Sequence, residues 1–193
     1  MSTLSKQDKA AISHCALAIT SIFGLLGVND RYIGAAPSFM ILTANAVVGT
    51  LRILGENVDK IYKYTSATEQ LLVLPTVVAS LLDKYYNQQE LSYAAIAIPA
   101  IPLTFYFMGK GELMVESRKT IVLVSSAVMA YLSIKNNNKS GLWACGTYLF
   151  IVFFLNDFED TVFNIPTQDW CNVGMCFFAL FCLRAINVNN VSF

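Results

Sequence analysis

The densest group of side chains able to do chemistry is Asn156-Asp157-Phe158-Glu159-Asp160, which closes an aromatic-rich apolar stretch containing Tyr148, Phe150, Phe153 and Phe154. Asp157 and Asp160 are spaced to share a helical face. They could therefore hold a divalent cation, or act as a coupled acid–base pair in which one carboxylate raises the pKa of the other. The alternative is an acidic loop at a membrane surface, which the lack of a nearby histidine and of any Lys or Arg between Lys139 and Arg184 favours. Asp83, at the end of another apolar run, poses a similar choice between a buried carboxylate and a helix terminus. Arg52 follows Asn45 by seven residues, so the two lie on one helical face. They read either as a polar stripe toward a lipid headgroup or an acidic partner such as Glu69, or as an arginine snorkelling to the interface beside a helix-bridging asparagine. The second pair of roles is the one adopted.

Other chemistry has little to build on. His14 is the only histidine, and no GxSxG, HExxH or phosphate-loop pattern occurs, so a nucleophilic triad is not expected and any hydrolysis would rest on carboxylates. Cys15, Cys145, Cys171, Cys176 and Cys182 all fall in or beside apolar segments, where thiols behave as small hydrophobes. Their odd number and the 171–176–182 spacing predict no disulfide and no zinc site, and no cofactor is expected. Thirteen basic against thirteen acidic residues leave no electrostatic footprint for nucleic acid.

The elements that must position these residues are apolar helices. The 193 residues are 55% hydrophobic and 13% charged, more apolar surface than a soluble domain of this length can hide. Each bilayer crossing needs roughly 20 apolar residues. The pattern predicts an all-α, polytopic transmembrane bundle of about seven helices (six to eight) in one domain over 1–193, with no β-sheet. The spans fall near 10–28, 36–55, 66–82, 91–109, 118–135, 141–157 and 169–187. The third is the weakest, apolar only over 71–82 and containing Pro75, which suggests a short, tilted or re-entrant element. Pro99 and Pro102 are expected to kink or break the fourth. Trp143, Trp170, Tyr85 and Tyr86 flank helix ends as an interfacial belt would.

Lys6, Lys9, Lys60, Lys63, Lys110, Arg118 and Lys119 fall on the side of the N-terminus, against Arg31, Lys84, Lys135, Lys139 and Arg184 on the other. This bias predicts a cytoplasmic N-terminus, anchored rather than cleaved. The sequons at Asn138 and Asn190 then lie on the far side. Integral membrane placement follows, with an endomembrane favoured and an organelle membrane as the alternative.

The order of 71–82, Asp83 and 91–107, then Met129-Ala130-Tyr131, Gly146-Thr147-Tyr148-Leu149-Phe150 and Asn156-Asp157, resembles the lysoplasmalogenase (YhhN-like) family of small membrane proteins, over most of the chain from about Ala36. The resemblance implies hydrolysis of the vinyl-ether bond of lysoplasmalogens by carboxylates on two helices, with Asp83 and Asp157 as the catalytic pair and membrane lipid as substrate. A second reading is a non-catalytic structural or assembly subunit of a larger membrane complex. It rests on short loops, few intramembrane charges and small-residue faces (Gly24, Gly27; Ala94, Ala95, Ala97) suited to membrane protein partners. A transporter would be expected to carry an internal repeat and a charged pore-lining helix, and neither is visible.

Overall fold

The computed structural model describes residues 5–28, 31–155, 161–162 and 165–187. Its seven helices are α1 (Lys6–Gly27), α2 (Ala35–Ile53), α3 (Asp59–Tyr86), α4 (Gln89–Phe107), α5 (Glu112–Lys135), α6 (Lys139–Phe150) and α7 (Thr167–Asn187). Five of them, α1 to α4 and α7, are long and apolar enough to cross a membrane. α5 carries Glu112, Glu116, Arg118 and Lys119 in its first turns. α6 is shorter and continues as a π-helical turn, Ile151–Leu155.

Local chemistry sets the helix ends. At the start of α1, Ser5 and Asp8 form a reciprocal cap: the Asp8 N–H donates to Ser5 Oγ at 3.1 Å and the Ser5 N–H to Asp8 Oδ2 at 3.0 Å, satisfying donors that the helix cannot. α2 starts after Gly34, whose φ is +87° and where a Cβ would meet the Thr76 carbonyl oxygen of α3 at 2.3 Å. Only glycine lets the chain turn this close to α3. α3 ends on Asn87, left-handed at φ 52°.

α1, α2, α3, α5, α6 and α7 form a ring in which each packs on the next and α7 returns to α1, while α4 stands outside against α3 and α5. Neighbours in the ring are antiparallel except for α3 with α5 and α7 with α1, which run parallel. The end of the bundle where α1 begins is here the near end, and the other the far end. The interior is apolar but carries many polar side chains, and the outer faces are apolar too. Ser13, His14, Ser21, Asn45, Thr76, Ser80, Asp169 and Asn172 are buried, whereas Ile19, Leu26, Ile98 and Val115 are 62–82% exposed on the outer faces. Hydroxyls inside return to their own helix, as Ser21 to Leu17 O at 2.7 Å and Ser80 to Thr76 O at 2.9 Å. Such a molecule needs an apolar solvent around it.

Several expectations are corrected. The third helix is the longest: α3 spans 28 residues and includes Pro75, because the charged stretch from Asp59 continues the same helix beyond its apolar part. α4 runs unbroken through Pro99 and Pro102. One two-residue antiparallel pair, Thr161–Val162 with Ile165–Pro166, lies in the α6–α7 connection, outside the helices. No disulfide joins the five cysteines. Asn138 is buried, with Nδ2 donating to Tyr85 Oη at 2.6 Å and to Ala185 O at 2.9 Å, so its sequon has no accessible acceptor; Asn190 lies outside the described residues. Gly24 packs within the chain, where a Cβ would strike the Phe39 ring of α2.

Candidate functional site

The near end of the ring gathers polar side chains from six helices. Thr65 and Glu69 are four residues apart on α3, hence on one face, and that face meets Asn45 of α2. Thr65 Oγ1 donates to Asn45 Oδ1 at 2.9 Å, and the Asn45 amide donates to the Glu69 carboxylate. On the next residue, Gln70, the side-chain oxygen accepts from Arg118 Nη1 of α5 at 2.8 Å, and the backbone carbonyl accepts from Tyr148 Oη of α6 at 3.4 Å. α7 completes the enclosure with Gln168, Cys171, Asn172 and Met175.

These side chains surround a cavity of about 70 Å³ that reaches Glu69, with Ile151 and Val152 of the π turn on its wall. Such a space admits a water or two, and its amides and carboxylate offer the partners that water needs. Through Ser66 and Gln70, which line both, it adjoins a wider cavity of about 280 Å³ bordered by Arg52, Asp59, Tyr62, Lys63 and Tyr106 at the bundle end. Arg52 pairs with Asp59 there at 2.7 Å, both exposed, and lies 4.8 Å above the Tyr62 ring. The snorkelling reading of Arg52 and the helix-bridging reading of Asn45 therefore both describe the structure. Glu69, considered from the sequence only as a partner for Arg52, binds Asn45 instead.

A second polar group continues from the first. Asn172 lines the Glu69 cavity and donates to Ser13 Oγ of α1 at 3.0 Å, and Ser13 Oγ lies 2.9 Å from Asp169 Oδ1, to which it donates. His14 is wedged against α2, where a Cβ on Gly49 would lie 2.3 Å from its ring, and meets the Tyr62 ring edge-on. Buried His14 Nδ1 and Asp169 Oδ2 have no hydrogen-bond partner. Ser, His and Asp thus meet, yet not as a nucleophilic triad. That mechanism needs the imidazole between hydroxyl and carboxylate, and here the hydroxyl bonds the carboxylate directly. Among the described residues no three His, Cys, Asp or Glu side chains are grouped to hold a metal ion.

Of the two carboxylates expected to be catalytic, Asp83 is buried at the far end, fourteen residues and hence about 21 Å along α3 from Glu69. Its Oδ2 accepts the Ile33 N–H at 3.0 Å, tethering the α1–α2 connection to the end of α3. Asp157 lies outside the described residues, as do Glu159 and Asp160. Glu69 does not stand out in the sequence as a site residue because it precedes the purely apolar part of the third span. The available signal was the four-residue spacing of Thr65 and Glu69 one turn before that part.

No family model, curated protein or solved structure matches the chain.

Proposed function

We propose that this multi-pass membrane protein is a lysoplasmalogenase-like hydrolase of a single-chain vinyl-ether lipid, with Glu69 as the proton donor. One observation carries this reading: a carboxyl group inside the helix ring faces a water-sized cavity lined by amides, a phenol and a thiol, and that cavity adjoins a wider one bearing Arg52 and Lys63. The wide cavity suits a phosphate-bearing headgroup and the narrow one the scissile bond and a water. Glu69 protonates the vinyl carbon remote from the ether oxygen, leaving an oxocarbenium ion. Water adds to the carbon beside oxygen and its proton returns to the Glu69 carboxylate. The resulting hemiacetal collapses to an aldehyde and the glycerol hydroxyl. A positioned acid of this kind contributes typically about 10²–10⁴-fold. The resemblance assigns these roles to Asp83 and Asp157, so the three carboxylates are tested together. The loop charges support a cytoplasmic near end, and an endomembrane is the location proposed with it.

The test is aldehyde release from a vinyl-ether lysophospholipid by protein purified in mild detergent, read by mass spectrometry for wild type, Glu69→Gln, Asp83→Asn and Asp157→Asn. Loss confined to Glu69→Gln is expected. No release by wild type overturns the hydrolase reading, and full activity of Glu69→Gln removes Glu69 from the mechanism.

A non-catalytic subunit of a larger membrane assembly is the second reading. It is favoured by α4, which stands outside the ring and turns Ala97, Ile98 and Ile101 outward. A stoichiometric membrane partner retained on α4 through purification supports it, and an active lone monomer counts against it.

A further inference from the structure

On the outer face of the ring, α6 and α7 diverge into an apolar groove of about 530 Å³. We propose that this groove holds the hydrocarbon chain of a single-chain lipid, and that Ile151 packed on Gly174 is the partition past which the polar end of that lipid reaches the Glu69 cavity. Occupancy by such a lipid rests on the hydrolase reading, whereas its detection does not.

The dimensions select a chain. The groove follows α6 from Trp143 to Leu155, about 18 Å at the helical rise per residue. Its volume over that length is a cross-section of about 30 Å², a narrow slot that an extended alkyl or alkenyl chain follows along its length. The lining suits hydrocarbon. Trp143 stacks on Phe181 with ring centres 6.3 Å apart, Phe177 adds a further aromatic wall, and the one hydroxyl, on Thr147, is turned back to the Trp143 carbonyl at 2.8 Å. At Gly146 the floor is open, because a Cβ there would meet no atom within 4 Å.

The groove and the Glu69 cavity lie back to back. Phe150, Leu155 and Gly174 face the groove, while Ile151, Val152, Cys171 and Met175 face the cavity. Between them a Cβ on Gly174 would fall 2.8 Å from Ile151 Cδ1 and Cγ1, so the isoleucine occupies the place of a side chain on α7. Ile151 also begins the π turn, whose hydrogen-bond geometry departs from that of the α-helix and which recurs at functional sites. The partition is thus one side chain on the least regular part of the wall.

Photo-crosslinking in phosphatidylcholine vesicles tests both halves. A lysophospholipid with a diazirine at the chain terminus should label the α6–α7 groove. Excess unlabelled lysophospholipid should compete that label away, and Gly146→Leu, which fills open space without touching the protein, should reduce it about tenfold or more. Labels at Ile19 and Ile98 should not change. A probe with the diazirine on the first carbons of the chain, beside the glycerol oxygen, should label Cys171 or Met175, and Ile151→Ala should increase that label several-fold. Labelling that is uniform over all faces and insensitive to Gly146→Leu would overturn the chain site, as would a co-purifying protein crosslinked in the groove. Absence of label at Cys171 and Met175 in both wild type and Ile151→Ala would overturn the partition. Glu69→Gln should keep every label, and a wild type that labels as described yet releases no aldehyde tells against the hydrolase reading alone.

Discussion

Both ends of the ring carry polar residues and use them differently. At the far end, side chains bond mainly to backbone. Asp83 takes the Ile33 N–H, Lys84 and Asn138 donate to the Ala185 carbonyl, and Asn187 donates to the Gly27 carbonyl at 2.6 Å. Each bond ties one helix end to a neighbouring helix or connection, and Lys135 lies over the Tyr86 and Tyr131 rings beside them. At the near end, side chains bond to side chains around open space: Thr65 to Asn45 to Glu69, Arg118 to Gln70, Asn172 to Ser13 to Asp169. Polar groups that complete backbone hydrogen bonding hold a fold together. Polar groups that converge on a cavity are available to a ligand. The difference separates Asp83 from Glu69, although both are carboxylates on the same helix.

Substitutions can break that contrast, and the largest effect belongs to the near end. Glu69→Gln should lower aldehyde release by about 100-fold or more while leaving the melting temperature in detergent close to wild type; an unchanged rate would make the near end as structural as the far one. Next, Asn138→Ala removes the donor to Tyr85 and Ala185 and the cap on the Gly141 N–H. It should cost about 1–3 kcal/mol by denaturant titration, because buried partners are left unsatisfied, with the rate per folded molecule preserved. Asp83→Asn retains an oxygen for the Ile33 N–H, so it should cost about 1 kcal/mol or less and leave the rate within a few-fold. A rate collapse there would return Asp83 to the chemistry and erase the distinction. Arg52→Ala should be the mildest, within about 1 kcal/mol in stability, since its ion pair with Asp59 is exposed. Its informative readout is KM, which should rise if Arg52 meets a headgroup phosphate.

Much of the scaffold was legible because lipid imposes a length and an apolar composition on each span, and five of the seven stretches carry both. The start of α3 was not. Asp59, Lys60, Lys63 and Glu69 obscure its first turns in any hydropathy reading, yet they belong to the same helix. The site was less legible still. Asn45, Glu69 and Asn172 lie far apart in sequence, and only closure of the ring turns their faces toward one cavity. What could be read were the pairwise tendencies, an asparagine bridging helices and an arginine reaching the surface. Asp83 was conspicuous for a reason unrelated to chemistry: it ends an apolar run, which is also where a fold needs an acceptor for a neighbouring backbone N–H.

The seam between α1 and α7 bears on how the molecule is made. Ser13 and Asp169, hydrogen-bonded across that seam, are separated by more than 150 residues of synthesis, roughly 8–30 seconds at ribosomal rates. Throughout that interval α1 is in the membrane without the partner for its hydroxyl. The ring cannot shut during translation, and the Glu69 cavity does not exist until the seventh helix arrives. A nascent chain stalled before Thr167 therefore presents an open arc of five helices, with α4 outside it and polar edges exposed, the form that quality control or an insertion factor would encounter.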